Sequence, residues 1–326
     1  ALLALAFNIF LILTAYYLIK PVREALILSE PNGAELKSYA AAGQALLLLV
    51  AVPVYGWLAA RVPRMRLIDA VTLFFALCLV GFYVLVRSEA PVAVAFFLWV
   101  GIFNLMVPAQ FWAFANDVYT PEAGKRLFVL IAFGASSGAV FGSFLADEMI
   151  RLVGVYEMLL AGAGLLVGSL ALTHFVDRRE QSGAETGQER GEAPEAIEPG
   201  SAFGFVFRNR YLLLLALMLL LNNWVNSSGE YILARIVKDA ASAATGVGED
   251  QFIAGFYARY FAVVNVAGML LQLFVVSRVI KYIGVPIAVC ILPLLAMGSY
   301  AAIALLPVLG IVRLVKVAEN ATDYSL

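Results

Sequence analysis

Residues 4–28, ALAFNIFLILTAYYLIKPVREALIL, form an apolar run long enough to cross a bilayer, with three ionisable side chains near its end. A helix of about 20 apolar residues spans the hydrocarbon core. Lys20, Arg23 and Glu24 are spaced three and four residues apart, which places them on one helix face. A charge within a membrane helix is costly unless it faces a partner, a cavity or a substrate. The stretch therefore predicts a polar pathway; the alternative is that Lys20 and Arg23 extend to the lipid headgroups.

The whole chain has the composition of a polytopic membrane protein. Of its 326 residues, 63% are hydrophobic and 14% are charged, against about 45–50% apolar and about 25% charged in soluble domains. The net charge of −1 indicates no nucleic-acid partner. The two cysteines lack metal-type spacing, and the only histidine makes a histidine proton relay improbable. No nucleophile and base stand at a known motif spacing, so the sequence predicts no metal, no cofactor and no enzyme activity.

Hydropathy predicts ten membrane helices in two groups. Six fall in an N-terminal half, 1–176, and four in a C-terminal half, 209–326. The linker between them is 177–208, and its stretch 177–201 is rich in Glu, Gly, Ser and Pro and is expected to be disordered. Six helices followed by four predict two six-helix halves with the last pair missing. The predicted helices are 4–28, 37–60, 67–86, 91–115, 127–147, 153–176, 209–236, 252–277, 285–306 and 307–326.

Lysine and arginine in the loops predict the orientation. Twelve of these residues fall in one set of alternating loops and four, including Lys37, fall in the other. Positive loops face the cytoplasm. The N-terminus and the linker are therefore expected to be cytoplasmic, in a protein of the inner cell membrane.

Two short basic loops indicate an internal repeat. They are GWLAARVPRMRL (56–67) and VVSRVIKYIGVP (275–286), which lie six helices apart. The first resembles the signature loop of the major facilitator superfamily, whose parallel six-helix halves work by alternating access. Ala60 and Pro63 replace the Asp and Gly of that signature. The resemblance implies a gating role for Arg61 and Arg64.

A stripe of small residues marks the fifth predicted helix. Gly134, Gly138 and Gly142 recur every four residues, which lets helix backbones approach closely. The stripe predicts either a rocking contact between helices or static packing.

Charges within the predicted helices are expected to converge on one cavity. Six cations and four anions leave two positive charges in excess, which favours an anionic substrate. Arg259 is mid-helix, and Glu230 follows an Asn- and Ser-rich run ending in Gly229, where we expect the helix either to break or to be hydrated locally. In the last helix Arg313, Lys316, Glu319 and Asp323 fall within an arc of about 120°. The alternative is a structural ion-pair network. The predicted substrate-binding residues are Lys20, Arg23, Glu24, Tyr17, Asn104, Glu230, Arg259, Arg313, Lys316 and Asp323.

Three stretches are similar to the ATP/ADP antiporter family of plastids and intracellular bacteria. They are YYLIKPVREAL (16–26) with SEPNGAE (29–35), FWAFAND (111–117) with EAGKR (122–126), and KVAENATDYSL (316–326). The resemblance implies a major facilitator fold, nucleotide exchange, a transport role for Arg23 flanked by Lys20 and Glu24, and an essential acid near Glu230. The fourth helix lacks the family's acid. That departure indicates a divergent member whose substrate need not be ATP or ADP.

The sequence thus predicts a secondary transporter that exchanges nucleotides or a related organic anion. Proton-coupled transport of another solute, using Glu230, is the first alternative. The second is a transport-inactive scaffold or accessory subunit of a larger membrane complex.

Overall fold

The computed structural model describes residues 2–118, 121–184 and 207–325, without the side chains of 117–118, 121–127, 180–184 and 285–286. The described part of the chain is largely helical, and its helices correspond to the ten predicted spans, although some ends lie up to eight residues beyond the predicted ones. The helices are α1 (Leu2–Ser29), α2 (Gly33–Ala59), α3 (Arg64–Arg87), α4 (Ala93–Val118), α5 (Pro121–Leu152), α6 (Glu157–Ala184), α7 (Arg210–Ala243), α8 (Glu249–Leu270), α9 (Val276–Tyr282), α10 (Val285–Leu305) and α11 (Leu309–Asp323).

Nine spans within the described residues are long and apolar enough to cross a membrane. One of them, Glu249–Tyr282, joins α8 and α9 through a π-helical turn at Leu271–Val275. The fifteen-residue α11 is too short to count among the nine. Large apolar side chains are exposed on most of the helices, as expected of surfaces that face lipid.

The predicted linker begins later than expected. Helix α6 continues through 177–184, and residues 185–206 lie outside the described residues. The expected disorder of 177–201 therefore fails for its first eight residues, 177–184, where α6 runs on.

Helix α1 is the central element of the N-terminal half. It packs against α2, α4, α5 and α6 of that half and against α8 of the other half. Within the half, Asn8 joins α1 to α6: its amide nitrogen donates to Thr173 at 2.6 Å, and its oxygen accepts from Ser169 at 2.7 Å. Polar side chains buried between membrane helices stabilise their packing in this way.

The glycine stripe of α5 explains how closely α5 approaches α1. A Cβ added at Gly134, Gly138 or Gly142 would collide with backbone carbonyl oxygens of α1, those of Ala6, Phe10 and Thr14 respectively. The stripe thus packs two helices of the same half together. Another face of α5 carries Ser136, Ala139 and Ser143 toward α8 of the other half.

The loops define two ends of the bundle. We call the end that carries the α1–α2, α5–α6 and α7–α8 loops the α1–α2 end, and the opposite end, with the α2–α3 and α9–α10 loops, the α2–α3 end. The α1–α2 turn is tight: Asn32 has a left-handed backbone with φ of 53°, and a Cβ on Gly33 would collide with α1. Position 33 therefore fits only glycine, which has no side chain.

Candidate functional site

The charged end of α1 is buried where the two halves meet. Lys20 is 7% exposed and Glu24 is 1% exposed. Arg23 donates to Glu24 Oε1 from Nη2 at 2.5 Å and from Nε at 3.1 Å. Its guanidinium also lies 4.8 Å from the ring centroid of Phe97. These contacts favour a polar interior over the alternative in which the side chains reach the headgroups.

A chain of alternating charges crosses from one half to the other. Lys37 Nζ lies 2.7 Å from Glu24 Oε2 and 3.7 Å from Glu230 Oε2. Lys316 Nζ then lies 3.7 Å from Glu230 Oε1 and 3.2 Å from Glu319 Oε1. We call the six residues Arg23, Glu24, Lys37, Glu230, Lys316 and Glu319 the ion chain. Four of them (Glu24, Lys37, Lys316 and Glu319) are at most 9% exposed, so separating their charges in a low-dielectric interior is costly.

Two asparagines complete the ion chain in the C-terminal half. Asn226 accepts a hydrogen bond from Lys316 at 2.9 Å. Asn320 donates to Glu230 at 3.0 Å and to the Tyr260 hydroxyl at 2.8 Å. The expected helix break at Gly229 is wrong, because α7 is continuous from Arg210 to Ala243. The glycine instead provides space: a Cβ there would lie 3.0 Å from Lys316 Nζ.

Lys20 differs from the other cations of the site because aromatic rings surround it. Its Nζ lies 4.0 Å from the ring centroid of Phe261, 5.2 Å from that of Tyr17 and 5.6 Å from that of Tyr16. It donates to the Tyr324 hydroxyl at 3.4 Å. Among the described side chains no carboxylate lies within 4.0 Å of it. Lys20 therefore holds a buried positive charge that only rings and a hydroxyl stabilise.

An open cleft lies between the halves, on the α2–α3 side of Lys20. Its volume is about 570 Å³. The lining residues come from α1 and α5 on one side and from α8, its π-helical turn and Tyr324 on the other. Among them, Tyr17 and Tyr324 also contact Lys20, so these two rings lie between Lys20 and the cleft. The polar lining residues are Tyr17, Ser136, Asn265, Gln272 and Tyr324.

Further polar contacts hold the halves together at the α1–α2 end. Lys238 Nζ donates to the carbonyl oxygens of Leu28 at 2.6 Å and Glu30 at 2.5 Å. Tyr156 in the α5–α6 loop donates to Asp250 at 3.0 Å. Burial and the neighbouring Asp250 carboxylate raise the pKa of Tyr156, so its hydroxyl keeps the donated proton.

Several predicted site residues lie away from this centre. Arg259 occupies the opposite face of α8 from the buried rings; its side chain is 55% exposed and lies 3.3 Å from Asp147 of α5. Arg313 is half-buried over the ring of Phe256, and Asp323 and Asn104 are exposed. The expectation that Arg23, Arg259 and Arg313 converge on one cavity is therefore wrong. Helix α11 turns only Lys316 and Glu319 fully into the interior, because its charged arc is wider than the buried face.

The predicted gating arginines make their contacts within the N-terminal half. Arg61 lies against Trp57 of its own helix, with the guanidinium carbon 4.1 Å from the ring centroid. Arg64 donates to the carbonyl oxygen of Ala113 in α4 at 2.8 Å. Their role in gating stays a prediction.

The sequence reasoning missed two features of the site. Lys37 was assigned to a loop because the second helix was expected to begin there, whereas α2 begins at Gly33 and buries Lys37 in its second turn. The Asn32-Gly33 pair, typical of a tight turn, was the available signal. In the run FYARYF (256–261), the sequence indicated only the arginine as a site residue. In the structure the aromatic rings of this run are buried instead. Within the described residues, no group of His, Cys, Asp or Glu is suited to hold a metal ion.

Two groups of membrane helices that meet at a charged interface beside a cleft define the class of secondary-transporter folds. The family model of the Major Facilitator Superfamily matches residues 5–315, and the chain belongs to that superfamily. A similar solved structure is the crystal structure of a bacterial homolog to the human lysosomal transporter Spinster, in an inward-facing and unoccupied conformation. It is 15% identical with a TM-score of 0.57, over 98% of this chain and 72% of that chain. A comparison with curated protein sequences gives no match.

Proposed function

We propose that the protein is a secondary transporter that carries an organic anion across the membrane by alternating access, without covalent chemistry. The observation that carries this proposal is Lys20, a buried cation without a carboxylate among its described neighbours, which contacts Tyr17 and Tyr324 of the cleft lining. An uncompensated buried charge is costly, and an anion that enters the cleft would lower that cost.

In the transport cycle, the ion chain holds the α1–α2 end of the two halves closed. Lys37 and Glu230 form its only pair across the halves among the described residues. Opening the α1–α2 end requires this pair to separate, together with the contacts of Lys238 to the α1–α2 turn. If a bound anion is needed to make that separation favourable, each half-cycle moves a substrate, and the net result is exchange.

Exchange of nucleotides is the narrower form of the proposal. It rests on the resemblance of 16–35 and 316–326 to ATP/ADP antiporters, and on aromatic rings beside Lys20 that can stack on a base. The Spinster homolog is similar only in fold and therefore does not identify a substrate.

Proteoliposomes test the narrower form directly. Vesicles that contain the full chain and internal ATP should take up labelled ADP, and Arg23→Ala should abolish the uptake, because Glu24 would lose one of its two cations and keep only Lys37. Lys281→Ala, an exposed cation of α9, serves as the matched control and should transport normally. Uptake that ignores internal nucleotide would contradict exchange. If the vesicles take up other anions but no nucleotide, only the nucleotide form of the proposal is contradicted.

Proton coupling through Glu230 is a second candidate, favoured by one observation. Glu230 lies between Lys37 and Lys316, so protonating it would release both cations and weaken the contact between the halves. A pH gradient should then drive uptake, and Glu230→Gln should transport equally well with and without the gradient. A wild-type rate that is independent of the gradient would contradict this candidate.

Location and partners are also proposals. The loop charges favour an inner-membrane protein with a cytoplasmic N-terminus, which would make the cleft open toward the cytoplasm. A scaffold role in a larger membrane complex predicts a stoichiometric partner that copurifies in mild detergent. Transport by the purified chain alone would exclude a transport-inactive scaffold.

A further inference from the structure

The charges of the site can be counted because each member is described. Four cations, Lys20, Arg23, Lys37 and Lys316, face three carboxylates, Glu24, Glu230 and Glu319. Arg313 and Asp323 lie outside this group and carry opposite charges. With every member ionised, the site therefore has a surplus of one positive charge.

The geometry assigns the surplus to one atom. Every carboxylate of the group lies within 4.0 Å of Arg23, Lys37 or Lys316, and none lies within that distance of Lys20. Lys20 is 7% exposed and its nearest described groups are Phe261, Tyr17 and the Tyr324 hydroxyl. From the cleft, this charge lies behind Tyr17 and Tyr324, and no other cation is among the described lining residues.

The lining of the cleft is itself uncharged. Ser136, Asn265 and Gln272 are neutral polar groups, and Leu13, Met269 and the two tyrosines add apolar surface. A second or third negative charge on a ligand would lie against these groups without a cation. Since an isolated buried charge is costly, each additional charge would oppose binding and closure.

We propose that the substrate is an organic monoanion with an apolar or aromatic body, whose single negative charge pairs with Lys20. This inference rests on the proposed function, because it names the substrate class of the same site. It also opposes the nucleotide form of that proposal, since ATP and ADP carry several negative charges.

A series of similar ring compounds that differ in charge tests whether the site favours a single negative charge. Benzamide is neutral, benzoate is singly charged, phthalate is doubly charged and trimesate is triply charged at neutral pH. We expect benzoate to bind the detergent-solubilised full chain more tightly than the other three, measured by the shift in melting temperature and by equilibrium dialysis. A charge-assisted hydrogen bond corresponds to about ten- to hundredfold in affinity. Benzamide should be weaker than benzoate by about that factor.

Two variants change the count in opposite directions. Lys20→Gln removes the surplus, so benzamide should bind as tightly as benzoate. Glu319→Gln raises the surplus to two, so the preference should move from benzoate to phthalate. Lys281→Gln, an exposed cation outside the group, should leave the ranking unchanged. Because Glu319→Gln moves a preference instead of removing binding, a misfolded variant is distinguishable from the expected result.

The outcomes separate this inference from the proposed function. If trimesate or ATP binds most tightly to the wild-type chain, the single-charge inference is wrong and anion transport stands. If the ranking fails to move in both Lys20→Gln and Glu319→Gln, the charge count does not select the ligand and the inference is likewise wrong. If none of the anions binds, including ATP, the proposed anion transporter is itself contradicted.

Discussion

The two ends of the interface between the halves are built from different interactions. At the α1–α2 end the halves meet through the ion chain. Two further contacts join them there: Lys238 donates to the α1–α2 turn, and Tyr156 donates to Asp250. Toward the α2–α3 end the polar contacts are hydrogen bonds between neutral groups: Asn265 donates to Ala139 and Ser143, and Ser136 donates to Gln272 at 3.2 Å beside the open cleft. Buried ion pairs resist separation once made, whereas each hydrogen bond between neutral groups contributes little. The α1–α2 end can therefore open only at a large cost in free energy, while the α2–α3 end only has to close.

Loss of Lys37 should have the largest effect on this comparison. Lys37→Met leaves Glu24 and Glu230 without their shared cation, and breaking a buried pair by removing one partner costs about 3–5 kcal/mol. We expect a clear drop in the melting temperature in detergent. A cysteine at Ala34, which is 2% exposed, should also react faster with a thiol reagent.

The matched control for this change is Lys281→Met, on the exposed surface of α9. Both variants are compared in a chain whose Cys78 and Cys290 are replaced by Ser. Equal melting temperatures for Lys37→Met and Lys281→Met would show that the ion chain does not hold the α1–α2 end.

The two ends can open and close in turn only if α1 and α5 move as one body. A substitution at Gly138 tests whether these helices stay packed together. Gly138→Ala places a Cβ against the backbone of Phe10, where no side chain can yield. Overpacking of this kind costs about 1–3 kcal/mol. Gly298→Ala, in open space on α10, should be neutral or slightly stabilising. Equal melting temperatures of the two variants would indicate that α5 separates from α1 easily.

The pair of Arg259 with Asp147 should contribute less than the ion chain. It joins α8 to α5 across the halves, but its arginine is 55% exposed. Exposed pairs of this kind contribute about 1 kcal/mol or less. We therefore expect Arg259→Gln to change stability slightly and to retain transport in vesicles. Loss of transport with unchanged stability would restore Arg259 as a substrate contact.

The smallest effect is expected at the α2–α3 end. Gln272→Ala removes the hydrogen bond to Ser136, and surface changes usually stay within about 0.5 kcal/mol. The melting temperature should remain near that of the wild type. A decrease in melting temperature as large as that of Lys37→Met would show that the two ends are held equally strongly.

Much of the fold followed from local properties of the chain. Apolar runs of membrane length predicted ten helices, because a bilayer admits little besides helices with all backbone groups bonded. Lys20, Arg23, Glu24 and Glu230 were identified for the same reason: a charge in such a run needs a partner. The start of α2 was misplaced by four residues, and this error alone hid Lys37, the cation that joins the halves.

The positions of Arg259 and Arg313 could not be predicted, because a helix has several faces and the sequence does not say which face meets another helix. The rotation of α8 buries Tyr257, Tyr260 and Phe261 and turns Arg259 outward. Likewise, the glycine stripe of α5 indicated a close approach without naming its partner, which is α1.

By itself the sequence determined that the chain crosses the membrane repeatedly, in two groups of helices, with costly charges inside them. Hydrophobicity and periodicity are local, so they can be read from neighbouring residues. Only the tertiary structure decided which charges pair, that Lys20 is left among rings, and at which end the halves are joined. Those outcomes depend on distances between residues that lie up to 304 positions apart in the chain, as Lys20 and Tyr324 do.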